Sequence, residues 1–174
     1  MDIVKLFFLV FFGFLMHCSF GQEEEILWSS EHRLSWPDFK GTPPVGDRAA
    51  AVTASGITYQ FSTLESRNGV EIDFEVIAFY YPNKSWYRPE AASPLILSHE
   101  QLHFDISEMY ARKMRHILRT TRFTKNVKAE IRTIYKQIIK ELSAFQDRYD
   151  EETNFSRNRE QQLLWNQKIA KALK

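Results

Sequence analysis

The chain has 174 residues, with 23 Lys and Arg against 22 Asp and Glu and a formal net charge of +1. That balance argues against a nucleic-acid partner, which needs a basic stripe. One cysteine, Cys18, excludes a disulfide framework within the chain, so the folded body relies on an apolar core.

The first segment reads as a leader. Lys5 supplies a short basic region, Leu6 to Met16 is apolar and rich in Phe, and Ser19-Phe20-Gly21 is a small-x-small cleavage signal before Gln22. The apolar run is too short for a hydrocarbon core that needs about twenty residues. The expectation is a signal peptide over 1–21 and one domain over 22–174, secreted or periplasmic, with no transmembrane span in the mature chain. A lipid anchor on Cys18 is the alternative, although Met16-His17 are bulkier than such signals prefer. Roughly 150 residues remain, enough for one domain with a proper core.

Residues 22 to 48 carry Trp28, Trp36 and Phe39 at spacings too irregular for a helix, then a Gly41-Thr42-Pro43-Pro44 break. A short strand near Glu25 to Ser30 and a wrapping segment are expected. Ile57, Tyr59 and Phe61 then alternate with polar residues, and so do Val70, Ile72, Phe74 and Val76. Period-two alternation marks half-buried strands, and the Asn68-Gly69 pair between them favours a tight turn, so an antiparallel hairpin is expected. Its second strand is apolar on both faces at Ile77-Ala78-Phe79-Tyr80, which calls for a covering helix.

From Ser93, a good N-cap followed by Pro94, no further Pro or Gly occurs to the end of the chain. Leu95, Leu102, Ile106, Met109, Tyr110 and Ile117 make a helical stripe. A second helix is expected over about Asn126 to Tyr149, a break over Asp150 to Arg157, and a third helix from about Asn158. The fold class is α+β: a small antiparallel sheet packed on a long helix, plus two C-terminal helices.

The first helix carries His99-Glu100-Gln101-Leu102-His103. On a helix, positions i and i+4 share a face, so two imidazoles can grip one zinc ion (Zn2+), with Glu100 placed as the general base. A single helical histidine is ordinarily a packing residue, and a lone Glu100 would be a surface residue; the pair with its glutamate reverses both preferences. Zinc makes water acidic enough to supply hydroxide near neutral pH, and a neighbouring carboxylate takes and returns the proton, which suits hydrolysis of an amide or ester. Catalytic zinc ordinarily takes three protein ligands. His116 is thirteen residues beyond His103, about 20 Å along a straight helix. Glu108 is rotated away from the pair, and His32 is remote in sequence. Asp150, Glu151 and Glu152 can fold back over the histidines, although a solvated loop is the ordinary role of each. Tyr149 and Tyr110 can donate to a developing oxyanion, or simply pack in the core.

Leu97-Ser98-His99-Glu100-Gln101-Leu102-His103-Phe104-Asp105-Ile106 with Ala111-Arg112 resembles the DUF922 family. So do Trp28-Ser29-Ser30, Leu34-Ser35-Trp36-Pro37-Asp38-Phe39-Lys40-Gly41, Lys84-Ser85-Trp86, Tyr149-Asp150-Glu151-Glu152-Thr153-Asn154, and the later Gln162 and Trp165. The resemblance implies a bacterial, exported, zincin-like metallopeptidase with a peptide or protein substrate. It also implies a histidine as third ligand just after the Thr-Asn pair, where this chain has Phe155. Asp150 then becomes the candidate substitute ligand, or the carboxylate that orients one, and Tyr149 a candidate substrate contact. In such enzymes an edge strand above the helix pairs with extended substrate; residues 57–62 and 70–80 are the candidates. The alternative is a catalytically impaired scaffold that binds a partner or an envelope component.

Overall fold

The computed structural model describes residues 23–66 and 69–174. The expected leader over 1–21 and the Asn68 of the expected turn lie outside the described residues. Among those described there are five strands and three α-helices: β1 (Ile26–Leu27), β2 (Ala51–Val52), β3 (Ser55–Ser66), β4 (Gly69–Tyr80), β5 (Trp86–Tyr87), α1 (Pro94–Thr120), α2 (Val127–Thr153) and α3 (Arg159–Ala172). The class is α+β, as expected. None of the described helices is long and apolar enough to cross a membrane.

The hairpin is the longest sheet element. β3 and β4 pair antiparallel in unbroken register from Ser55 with Tyr80 to Ser66 with Gly69, and β1 adds to the far side of β4. Alternation puts Ile57, Val76, Ala78 and Tyr80 in the core, while Gln60 and Glu75 face each other across the wet side. A second, two-stranded sheet joins β2 to β5. Neither partner was legible in the sequence, because two residues carry no period. Gly41 serves this region by close approach: its amide donates to the Ser85 carbonyl at 2.8 Å, and a Cβ there would also stand 2.8 Å from that oxygen.

α1 starts as its residues dictate. The Ser93 hydroxyl accepts from the Ile96 amide at 3.2 Å and Pro94 takes the first helical position. The helix is the spine of the core: Ile106, Ala111 and Met114 are wholly buried between the sheet and the two C-terminal helices. α2 contributes Ile131, Ile138 and Tyr149, and α3 contributes Trp165 and Ile169. The wrapping segment is strapped to α1 by polar side chains. Gln101 Oε1 accepts from the Leu34 amide at 2.7 Å, and Asp105 accepts from Trp28 Nε1 at 2.9 Å and from Arg33 at 3.0 Å.

One boundary is corrected. The expected break over Asp150 to Arg157 begins later, because Asp150 to Thr153 continue α2. Thr153 is buried, and its hydroxyl donates back to the Tyr149 carbonyl at 2.7 Å, holding the last turn closed. Asn154 then ends the helix in the left-handed region, at φ 48°.

Candidate metal centre

Three side chains from two helices meet at one point. His99 and His103 come from successive turns of α1, and Asp150 comes from the last turn of α2. Asp150 Oδ1 stands 3.0 Å from Nε2 of each histidine, and the two Nε2 atoms are 3.3 Å apart. Ligands at about 2.0–2.1 Å from a tetrahedral zinc ion are separated by about 3.3 Å, so this triangle has the size of a metal's coordination face. The group is the one set of metal-ligating side chains found together among the described residues.

The chemistry of the donors favours a cation in the middle. Asp150 Oδ1 is buried and makes no well-directed hydrogen bond despite its two close neighbours. His99 Nδ1 lies 2.9 Å from Oε1 of the fully buried Gln162. An amide oxygen only accepts, so His99 carries its proton on Nδ1 and turns the Nε2 lone pair toward Asp150. A lone pair facing a carboxylate oxygen at 3.0 Å is repulsive unless a cation lies between them. The residues therefore fit a metal cation. In its absence a proton is drawn to the same place. Burial pushes the His99 imidazole down, but Asp150, Glu100 and Gln162 more than reverse this and its pKa is raised. Burial likewise pushes the Asp150 carboxyl up, and the His103 and His99 rings overcome it, holding the carboxyl well below the usual range.

Behind the cluster the packing is tight. The Tyr149 ring stacks on His99 with centroids 4.6 Å apart and meets His103 edge-on at 5.0 Å. Its hydroxyl donates to the His99 carbonyl at 3.3 Å and sits 2.7 Å and 2.9 Å from the two amide atoms of Gln162. Asn166 continues this chain of contacts, accepting from Gln162 Nε2 and donating to the Ser98 hydroxyl, each at 2.9 Å.

In front of it lies a cleft of about 610 Å3, within the usual range for ligand sites. Its floor includes His99, Glu100, His103 and Asp150, one wall is the segment 48–53, and the other is 155–157. The strand at this cleft is β2, not the 57–62 or 70–80 segments expected to border it. β2 leads directly into β3, and a Thr53 hydroxyl donating to the Glu100 carbonyl at 3.2 Å ties this wall to α1.

The structure thus brings together His99, Glu100, His103 and Asp150 at the cleft. Tyr149, expected as a substrate contact, is fully buried and backs the histidines instead, because its hydroxyl is engaged by Gln162. Tyr110 packs against Phe145. Glu108 is paired with Arg112 and Arg115, His32, His116 and Glu151 are exposed, and Glu152 accepts from Trp165 Nε1 at 2.8 Å instead of joining the triangle. The role of Gln162 was not legible as chemistry: a glutamine sixty-three positions from His99 shows nothing local, and only its place in a family resemblance marked it.

Phe155 lines the cleft rather than the coordination triangle. It is the middle of three successive non-glycine residues with positive φ, Asn154 at 48°, Phe155 at 51° and Ser156 at 69°. Asparagine tolerates this conformation, whereas other residues lose roughly 1–2 kcal/mol in it. The turn is closed by the Phe155 amide donating to the Asp150 carbonyl at 2.8 Å and the Asn158 amide donating to the Thr153 carbonyl at 2.8 Å.

A family model described as a bacterial protein of unknown function (DUF922) matches residues 40–157, a span that includes every member of the triangle and both walls of the cleft. No curated protein and no solved structure matches the chain.

Proposed function

Given that the chain belongs to the DUF922 family, we propose that it is an exported zinc-dependent metallopeptidase, with His99, His103 and Asp150 as zinc ligands and Glu100 as general base. The observation that carries this is the buried Asp150 Oδ1, placed 3.0 Å from two imidazole nitrogens and without a proton donor of its own. Two histidines and one carboxylate, with one position left for water, are a ligand set of catalytic zinc.

A zinc ion, when bound, supplies a Lewis acid that makes water nucleophilic near neutral pH. The chain's own residues do the rest. Gln162 holds the proton on His99 Nδ1 and so fixes which nitrogen faces the cleft. Tyr149 packs on both rings and prevents their rotation. Glu100, next to His99 and open to the cleft, takes the proton of the attacking water and returns it to the leaving amine nitrogen. The 48–53 wall lies alongside, where an extended peptide can pair with backbone. Export rests on the composition of residues 1–21.

The alternative is a scaffold impaired because Phe155 replaces a third histidine; the position of Asp150 beside both rings favours the peptidase reading, in which no ligand from residue 155 is needed. The test is metal content and turnover together. Purified protein, loaded and dialysed, is expected to retain one zinc per chain, and His103→Ala to retain none. Wild type is expected to cleave a mixed peptide library far faster than Glu100→Ala. Equal, negligible cleavage by both, or a centre that keeps iron and rejects zinc, refutes the proposal.

A further inference from the structure

Phe155 is a large aromatic side chain left 58% exposed, on a backbone conformation that disfavours it. Exposure of one apolar side chain is ordinary. Here, however, the neighbours are used to keep it outside. Thr153, two residues before it, and Ser156, directly after it, are buried, and the amide of Phe155 is tied to the Asp150 carbonyl. The backbone that carries the ring is therefore held at a set position relative to Asp150. A glycine or asparagine at 155 would serve the turn with less strain and no exposed ring. Backbone strain of this kind collects where a ligand is held.

The rest of the lining tells what would lie against the ring. The same cleft presents Ala51 and Val52 from β2 and Ile96 from the first turn of α1. Ile96 and Val52 are half-buried, so each has apolar surface still to cover. We propose that Phe155, Val52 and Ile96 form an apolar side-chain subsite beside the His99–His103–Asp150 triangle. The peptide taken by the cleft carries a large aliphatic or aromatic residue next to the bond that is cut. This rests on the metallopeptidase reading above and names its substrate class. Arg48 and Arg157 also border the cleft, and a preference for acidic peptides is the competing outcome.

The test measures binding apart from turnover. Fluorescently labelled Gly–Ser peptides bearing one central Leu, Ala or Asp are titrated into zinc-loaded Glu100→Gln protein. The Leu peptide is expected to bind about tenfold tighter than the Ala peptide, a difference of about 1.4 kcal/mol. Adding Phe155→Ala is expected to erase that difference, and Phe155→Leu to keep most of it. Phe155→Gly is expected to raise the melting temperature, by relieving the positive φ, while also losing the preference, so misfolding cannot mimic the result. Equal binding of the Leu and Ala peptides, including no measurable binding of either, overturns the subsite. So does tighter binding of the Asp peptide, or a Leu preference that survives Phe155→Ala. Selective binding of the Leu peptide without hydrolysis by zinc-loaded wild type removes the peptidase and keeps the subsite. Hydrolysis indifferent to both Leu and Phe155→Ala removes the subsite and keeps the peptidase.

Discussion

Replacing Asp150 with asparagine isolates its charge. The side chain keeps its volume and an oxygen near the two Nε2 atoms, at the positions now held at 3.0 Å, but the anion is gone. Structural zinc sites bind with about 10–16 kcal/mol across four ligands, or roughly 2.5–4 kcal/mol for each. Loss of one ligand of three should therefore weaken zinc binding by about a hundredfold or more. Helicity should be unchanged, because Asp150 sits in the last turn of α2 and its backbone contacts do not involve the carboxylate. Competition against a chromophoric chelator reads the affinity, and circular dichroism checks the fold. An Asp150→Asn protein that binds zinc within about threefold of wild type would show that the carboxylate is not a ligand. The triangle would then be a metal-free hydrogen-bonded cluster.

Gln162→Leu removes the acceptor that sets the His99 tautomer, and should cost about 10–100-fold in zinc affinity; unchanged affinity would mean the tautomer is set elsewhere. It also leaves the buried Tyr149 hydroxyl with only its 3.3 Å contact to the His99 carbonyl, so stability should fall by about 1–3 kcal/mol. Asp105→Ala deletes the acceptor shared by Trp28, Arg33 and Gln101. Limited proteolysis should then cut within residues 28–40 faster than in wild type, with α1 still intact; equal cleavage rates would refute the strap. For pH, the metal-free protein gains stability from the raised His99 pKa. That gain is complete below the unfolded value of about 6.5 and is lost as pH rises through the higher folded value. The lowered Asp150 carboxyl contributes stability that is complete above its unfolded value of about 3.9 and is lost progressively as pH falls from there through the folded value. Zinc needs the unprotonated imidazole, so its apparent affinity should climb over the same window in which the metal-free melting temperature falls. Affinity flat with pH from mildly acidic to mildly alkaline buffer would contradict this.

The elements with a period were legible from the residues. β3 and β4 alternate, α1 has its Ser93 cap and Pro94 start, and the observed pairing of Ser55 to Ser66 with Gly69 to Tyr80 extends both expected strands. β2 and β5 were silent because two-residue strands have no pattern, yet β2 is the one that borders the cleft. The end of α2 was misjudged by four residues, since a run of acidic and polar side chains resembles a loop until Thr153 is seen bonding back to Tyr149.

Two imidazoles one helical turn apart, with a glutamate between them, are fixed by local covalent spacing, so the sequence by itself determined two corners of the triangle and the carboxylate beside them. The rest depends on how α2 and α3 pack against α1. Only that packing brings Asp150 to 3.0 Å from both rings and Gln162 to 2.9 Å from His99. Only the tertiary structure, likewise, turned Tyr149 inward and Phe155 out into the cleft. The reason is geometric: helical periodicity places neighbours within one element, whereas contacts between elements arise from burial of their apolar faces, which no local spacing encodes.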